Sequence, residues 1–163
     1  GHLVYIEGGG NSPRLSLLLK NSALWLLIHT SMEVISMTRE IDINGKVTVS
    51  IDSDSQEFAD KVFAALSAID RQQAVLLKNA NKPLAQRYRL FSDANIAIRR
   101  QIDDLFGVSV CAPLFGEDSI YARSGGTPLW YNLLEGIIDQ ISIQPNRECK
   151  KIMKKYAAQR RWK

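Results

Sequence analysis

The stretch "REIDINGKVTVSIDSDSQEFADKV" (Arg39 to Val62) decides how the rest of the chain is read. Ile41 and Ile43 alternate with polar residues, and so do Val47 and Val49. Period-two alternation of this kind marks strands with one buried face. Asn44-Gly45 lies between the two runs. That dipeptide tolerates positive φ at both central positions of a tight turn, so the runs are read as a β-hairpin. Directly after it, Asp54 stands three residues before Glu57, the pattern of a capping box, and a helix is predicted to start there.

Working outward, Phe58, Val62, Ala65, Ile69, Gln72 and Leu76 step by four and three, a heptad seam. "NANKP" (Asn79 to Pro83) interrupts it. A second seam follows: Leu84, Tyr88, Phe91, Asn95, Ile98, Ile102 and Leu105. Two such helices joined by a short loop should pack antiparallel as a helical hairpin. Gln72 and Asn95 are the polar members of the two seams and are expected to meet across it. Gly107 should end the second helix, because it enters the left-handed region without a Cβ penalty. "LFG" occurs at 105–107 and again at 114–116, around Cys111 and Pro113. The second copy is expected to tuck an aromatic under the same apolar face. In "ARSGGTP" (Ala122 to Pro128), Thr127 reads as a cap and Pro128 as the first helical residue. Leu129, Trp130, Leu133, Leu134, Ile137, Ile138 and Ile141 then form a wide stripe, which should be the most buried element. Pro145 opens a last helix.

The 163 residues are 45% hydrophobic and 23% charged, which suits one globular domain. His2 and His29 are the only histidines, and His2 follows Gly1 as in a tag remnant, so a His-based metal site or Ser-His-Asp triad is close to excluded. Cys111 and Cys149 form no CxxC pair and suggest a reducing compartment. Cys111 is read as a buried structural thiol. "LSLLLKNSALWLLI" (Leu15 to Ile28) is shorter than the roughly 20 residues a membrane span needs. It lacks the flanks of a signal peptide and is read as a buried helix, in a unit capped by Ser12-Pro13 and reaching about Ser36. "LVYIEGGGN" (Leu3 to Asn11) reads as a short strand entering a glycine turn.

The charge is uneven. From Pro145 to Lys163 there are eight basic residues and one acid, Glu148, so that segment is +7; with +4 for the whole chain, the remainder is −3. Lys150, Lys151, Lys154, Lys155, Arg160 and Arg161 are therefore the candidate partner-binding residues. The segment is expected to be a binding surface lying outside the core, held by Ile152, Met153, Tyr156 and Trp162.

Two stretches bear on catalysis. Glu7 after a strand, with Asp52 and Asp54 in "SIDSDS", resembles the toprim pattern of nucleases and topoisomerases, in which clustered carboxylates hold Mg²⁺. A tight Asn-Gly turn argues against it, because that fold needs a crossover helix before its Asp-x-Asp strand. "EGGGN" lacks the Lys-Ser/Thr of a phosphate-binding loop and reads as a turn. The reading is non-enzymatic, with no catalytic residue, metal or cofactor.

The order "INGK", "DSDSQEFADKV", "IDDLFG", "LFGED" over residues 37–142 resembles a family of small prophage proteins encoded among tail-morphogenesis genes, similar to tail assembly chaperones of long-tailed phages. The resemblance implies Met37 as a natural first residue, a host-cytoplasmic location and binding to tail proteins such as the tape measure or tail tube. The expectation is thus an α+β chain, mostly α-helical, with a small N-terminal β-hairpin and an antiparallel helical hairpin. Residues 1–36 form an extension dispensable for the core, 37–144 the core domain and 145–163 the basic helix. The alternatives are nucleic-acid binding through that last helix and the Mg²⁺-dependent nuclease. A homo-oligomer stays open, and no membrane association is expected.

Overall fold

The computed structural model describes residues 6–8 and 38–160. The fold is α+β and mostly helical. Strands β1 (Ile6–Gly8), β2 (Thr38–Ile43) and β3 (Val47–Asp52) form one antiparallel sheet with β2 in the middle. Register pairs Ile41 with Val49 and Ile43 with Val47. Ile41, Ile43, Val49 and Ile51 are buried and Val47 is half-buried, while Glu40, Thr48 and Ser50 face solvent. Asn44 and Gly45 both take positive φ, 55° and 69°, and the Lys46 N–H donates to the Ile43 carbonyl at 3.0 Å. Ile43 faces Val47, so the loop holds three residues, one more than the dipeptide predicts. The extension contributes to this sheet: Ile6–Gly8 pairs with Ile41–Ile43. The helix expected from Ser12 to Ser36, its run Leu15 to Ile28, and His29 lie outside the described residues.

Helix α1 (Gln56–Lys78) and helix α2 (Leu84–Phe106) form the helical hairpin. The cap of α1 is Ser55, not Asp54: the Ser55 Oγ accepts the Phe58 N–H at 3.1 Å. Asp54 is turned away by a tight bend in which its own N–H donates to Asp52 Oδ1. Its carboxylate accepts the Ser142 hydroxyl at 2.6 Å instead. Glu57 pairs with Lys61 on the surface, so no capping box forms.

The expected Gln72–Asn95 pair is also corrected. Gln72 is exposed, and Asn95 Oδ1 accepts the Ile120 N–H at 3.0 Å. The inward polar residue of α1 is the next one, Gln73. It accepts the Trp130 indole N–H at 2.8 Å and donates to the Tyr156 hydroxyl at 3.2 Å. The reason lies in the neighbours of α1. It packs on α2 and on two later helices at once, so Ala59, Phe63 and Ser67 are buried beside the seam and the buried arc is wider than a heptad stripe.

Gly107 ends α2 in the left-handed conformation at φ 67°. Asp103 then caps the five-residue helix α3 (Cys111–Phe115), its Oδ1 accepting the N–H groups of Val110 and Cys111 at 2.8 and 3.0 Å. Leu114 and Phe115 of the second Leu-Phe-Gly are both buried. Cys111 is buried too, and burial, then Asp103, push its thiol up to about 12.

The loop 122–128 is a small hairpin, β4 (Arg123–Ser124) against β5 (Thr127–Pro128). Thr127 does not cap the next helix. Its hydroxyl donates to the Asn132 side chain, and helix α4 (Leu129–Ile138) begins after Pro128. Leu129 to Leu134, Ile137 and Ile138 are all buried, as the stripe predicts.

Helix α5 (Arg147–Arg160) is capped by Asn146, whose Oδ1 accepts the Cys149 N–H at 2.9 Å. It is part of the core, against expectation: Cys149, Ile152 and Tyr156 are buried between α1 and α4. Tyr156 stacks on Tyr131 at 4.3 Å and meets Trp130 edge-on at 5.6 Å. The sequence pattern of Ile152 and Tyr156 already pointed inward; the density of lysines obscured it.

Gly126 sits where β5 meets α5. Its φ is 91°, and an added Cβ would lie 3.1 Å from the Gln159 carbonyl oxygen. Gly126→Ala is expected to lower stability by about 2 kcal/mol in a urea titration, from the disfavoured backbone and the crowded carbonyl together. Gly45→Ala meets nothing within 4 Å and should lose about 1 kcal/mol. Equal losses at the two sites would show that the Gly126–α5 approach is not tight.

Candidate binding surfaces

The six cations singled out from sequence do not form one surface. On α5, residues Cys149, Ile152 and Tyr156 define the inward side. Arg147, Lys150, Lys151 and Lys154 fall on the opposite side, since residues three and four apart share a helix face, and all four are exposed. None of them forms an ion pair among the described residues. Lys155 stands apart. Its Nζ donates to Asp70 Oδ1 at 2.6 Å and lies 4.9 Å from the Tyr156 ring centre. Tyr156 donates its hydroxyl to the same carboxylate oxygen at 2.7 Å. Burial, then Asp70, push that phenol upward, which keeps it a donor.

Arg160 reaches toward α4 and is half-buried. Its Nη1 donates to Glu135 Oε1 at 2.7 Å, its Nη2 to Asn132 Oδ1 at 3.0 Å and its Nε to Thr127 Oγ1 at 3.3 Å. The guanidinium lies 5.6 Å from the Tyr131 ring centre, and Tyr131 donates to Glu135 Oε2 at 2.6 Å. Arg160 is therefore a clamp between α5 and α4, and Lys155 a clamp between α5 and α1. Arg161 lies outside the described residues. The candidate interface reduces to Lys150, Lys151 and Lys154, with Arg147 continuing their stripe.

Strand register does not bring the residues of the toprim pattern together. Glu7 stands opposite Asp42, while Asp52 stands opposite Thr38, four residues along β2. That is about 13 Å along the strands. The β1–β2 pairing is antiparallel, without the parallel crossover that fold requires. Among the described residues no group of three His, Cys, Asp or Glu is placed to hold a metal ion. No helix among them is long and apolar enough to cross a membrane.

One surface escaped the sequence reading. Gln73 is the last residue of α1 bonded to α4 and α5, and Phe91, edge-on to Tyr121 at 5.7 Å, is the first of α2 in a ring contact with the body. The hairpin beyond them projects as an arm about two turns long, roughly 10 Å. Leu84 and Tyr88, placed on the inner seam from sequence, are 73% and 75% exposed there. Val75 and Leu77 are 57% and 62% exposed. A signal was present: residues 74–92 contain Lys78, Lys82, Arg87 and Arg89 and no acid.

Compared with known protein families, curated proteins and solved structures, the chain shows no match.

Proposed function

We propose that this chain is a non-enzymatic binding protein of phage tail assembly, acting in the host cytoplasm on a tail protein such as the tape measure or tail tube. The tail partner is what the resemblance over residues 37–142 implies. The observation that carries the binding role is the stripe of Arg147, Lys150, Lys151 and Lys154 on the solvent side of α5. Lys150 with Lys154, and Arg147 with Lys151, are like charges at i,i+4, each costing a few tenths of a kcal/mol. The buried side of the helix, with Tyr156, Lys155 and Arg160 anchored, holds the stripe rigid in spite of that repulsion. A rigid, uncompensated cationic face suits an acidic partner.

The test is gel filtration and titration of the chain against purified tail-tube and tape-measure proteins. Changing Lys150, Lys151 and Lys154 together to Ser is expected to weaken binding about tenfold or more, with most of the loss at low salt. Stability should stay within about 0.5 kcal/mol, since the three side chains are exposed. Binding that keeps both its strength and its salt dependence would make the face a plain solvated one. Tighter binding to a DNA duplex, with the steep salt slope of released counterions, would instead assign the stripe to nucleic acid.

A further inference from the structure

We propose that the tip of the α1–α2 arm is a second docking surface, and that its occupant is an acidic, amphipathic helical segment of a partner protein. The arm exposes Leu84 and Tyr88 on one face of α2, and Val75 and Leu77 on either side of buried Leu76 on α1. An open concavity of about 710 Å³ lies along α2, lined by Leu84, Ala85, Tyr88, Arg89, Ser92 and Asp93. Two large apolar side chains, Leu84 and Tyr88, lining a shallow groove along α2 are what a helix laid on its apolar face requires.

The charge settles which occupant fits. Lys78, Lys82, Arg87 and Arg89 are interspersed in sequence with the apolar residues and outnumber the one carboxylate of the groove, Asp93, and none forms an ion pair among the described residues. A second copy would bring the same four cations against themselves, and like charges brought together at an interface oppose association. A phosphate backbone would satisfy the cations but gain nothing from Val75, Leu77 and Leu84, because direct apolar contact belongs to base edges and stacking to aromatic rings. An acidic amphipathic helix answers both features, its apolar anchors against Leu84 and Tyr88 and its carboxylates against the rim. The surface is separate from the α5 stripe and stands on different residues.

The probe is a labelled peptide of about 20 residues with Leu at i, i+3, i+4 and i+7 and Glu elsewhere. A peptide of the same composition in scrambled order and a single-stranded oligonucleotide serve as comparisons. Fluorescence anisotropy with the full chain reads binding. The patterned peptide should bind at least tenfold more tightly than the scrambled one. Leu84→Ser with Tyr88→Ser should weaken it at least tenfold, with the thermal midpoint unchanged because both side chains are exposed. The triple Ser variant at Lys150, Lys151 and Lys154 should bind the peptide as the parent does, so failure here and failure of the α5 reading are told apart. Absent peptide binding, or equal binding of both peptides, overturns the proposal. So does preferred binding of the oligonucleotide, or a dimer that the Leu84 and Tyr88 changes convert to monomer.

Discussion

Trp130→Ala should lower the stability of the fold by about 4 kcal/mol, read as a shift of the urea midpoint at constant slope. Trp130 is fully buried in the first turn of α4. It meets Tyr131 and Tyr156 edge-on at 5.8 and 5.6 Å, and such pairs add to the area they bury. Its indole N–H donates to Gln73, which in turn donates to Tyr156. Truncation therefore opens a cavity and leaves a half-buried amide oxygen without its donor. Trp130→Phe keeps most of the ring and loses the N–H, and should cost about 2 kcal/mol. If both changes cost the same, the Gln73 bond contributes nothing and the α1–α4–α5 junction is held by packing alone.

Arg160→Ala should cost about 2 kcal/mol, the largest effect of any cation on α5. The side chain makes three hydrogen bonds, to Glu135, Asn132 and Thr127. Arg160 and Glu135 are 37% and 22% exposed, so water screens the pair and the loss stays below that of a fully buried one. Arg160→Lys keeps the charge but not the planar fork that reaches three acceptors, and should recover less than half of the loss. A loss no greater than that of the triple change at Lys150, Lys151 and Lys154 would mean that Arg160 is another surface cation.

The contrast between these cations shows how far the sequence could be read. The lysine-rich run is visible at once, yet Lys150 and Lys155, five residues apart, have opposite fates. Lys155 finds Asp70 only because α5 lies against α1, a pairing made across 85 residues of chain. Arg160 finds Glu135 in the same way. Charge density is a property of the segment, whereas the partner of each charge is a property of the packing.

Turn and stop signals match the structure because their cause is local, whereas the caps read at Asp54 and Thr127 give way to Ser55 and to the Thr127–Asn132 bond. Asn44-Gly45 turns the hairpin, Gly107 stops α2 and the stripe from Leu129 to Ile138 is buried, because turn chemistry, backbone sterics and apolar period act within a few residues. Thus the α+β class, the hairpin and the paired helices were determined by the sequence itself. Packing decided the rest. It chose Gln73 over Gln72, since one residue step turns a helix face by about 100° and only the neighbouring helices say which face is covered. It left Leu84 and Tyr88 in water although Leu76 across the hairpin is buried, since a seam is covered only where neighbouring elements reach it, and a sequence does not say where they do. It also drew the last helix into the core, because Cys149, Ile152 and Tyr156 fill the gap between α1 and α4, a gap that exists only once those helices have come together.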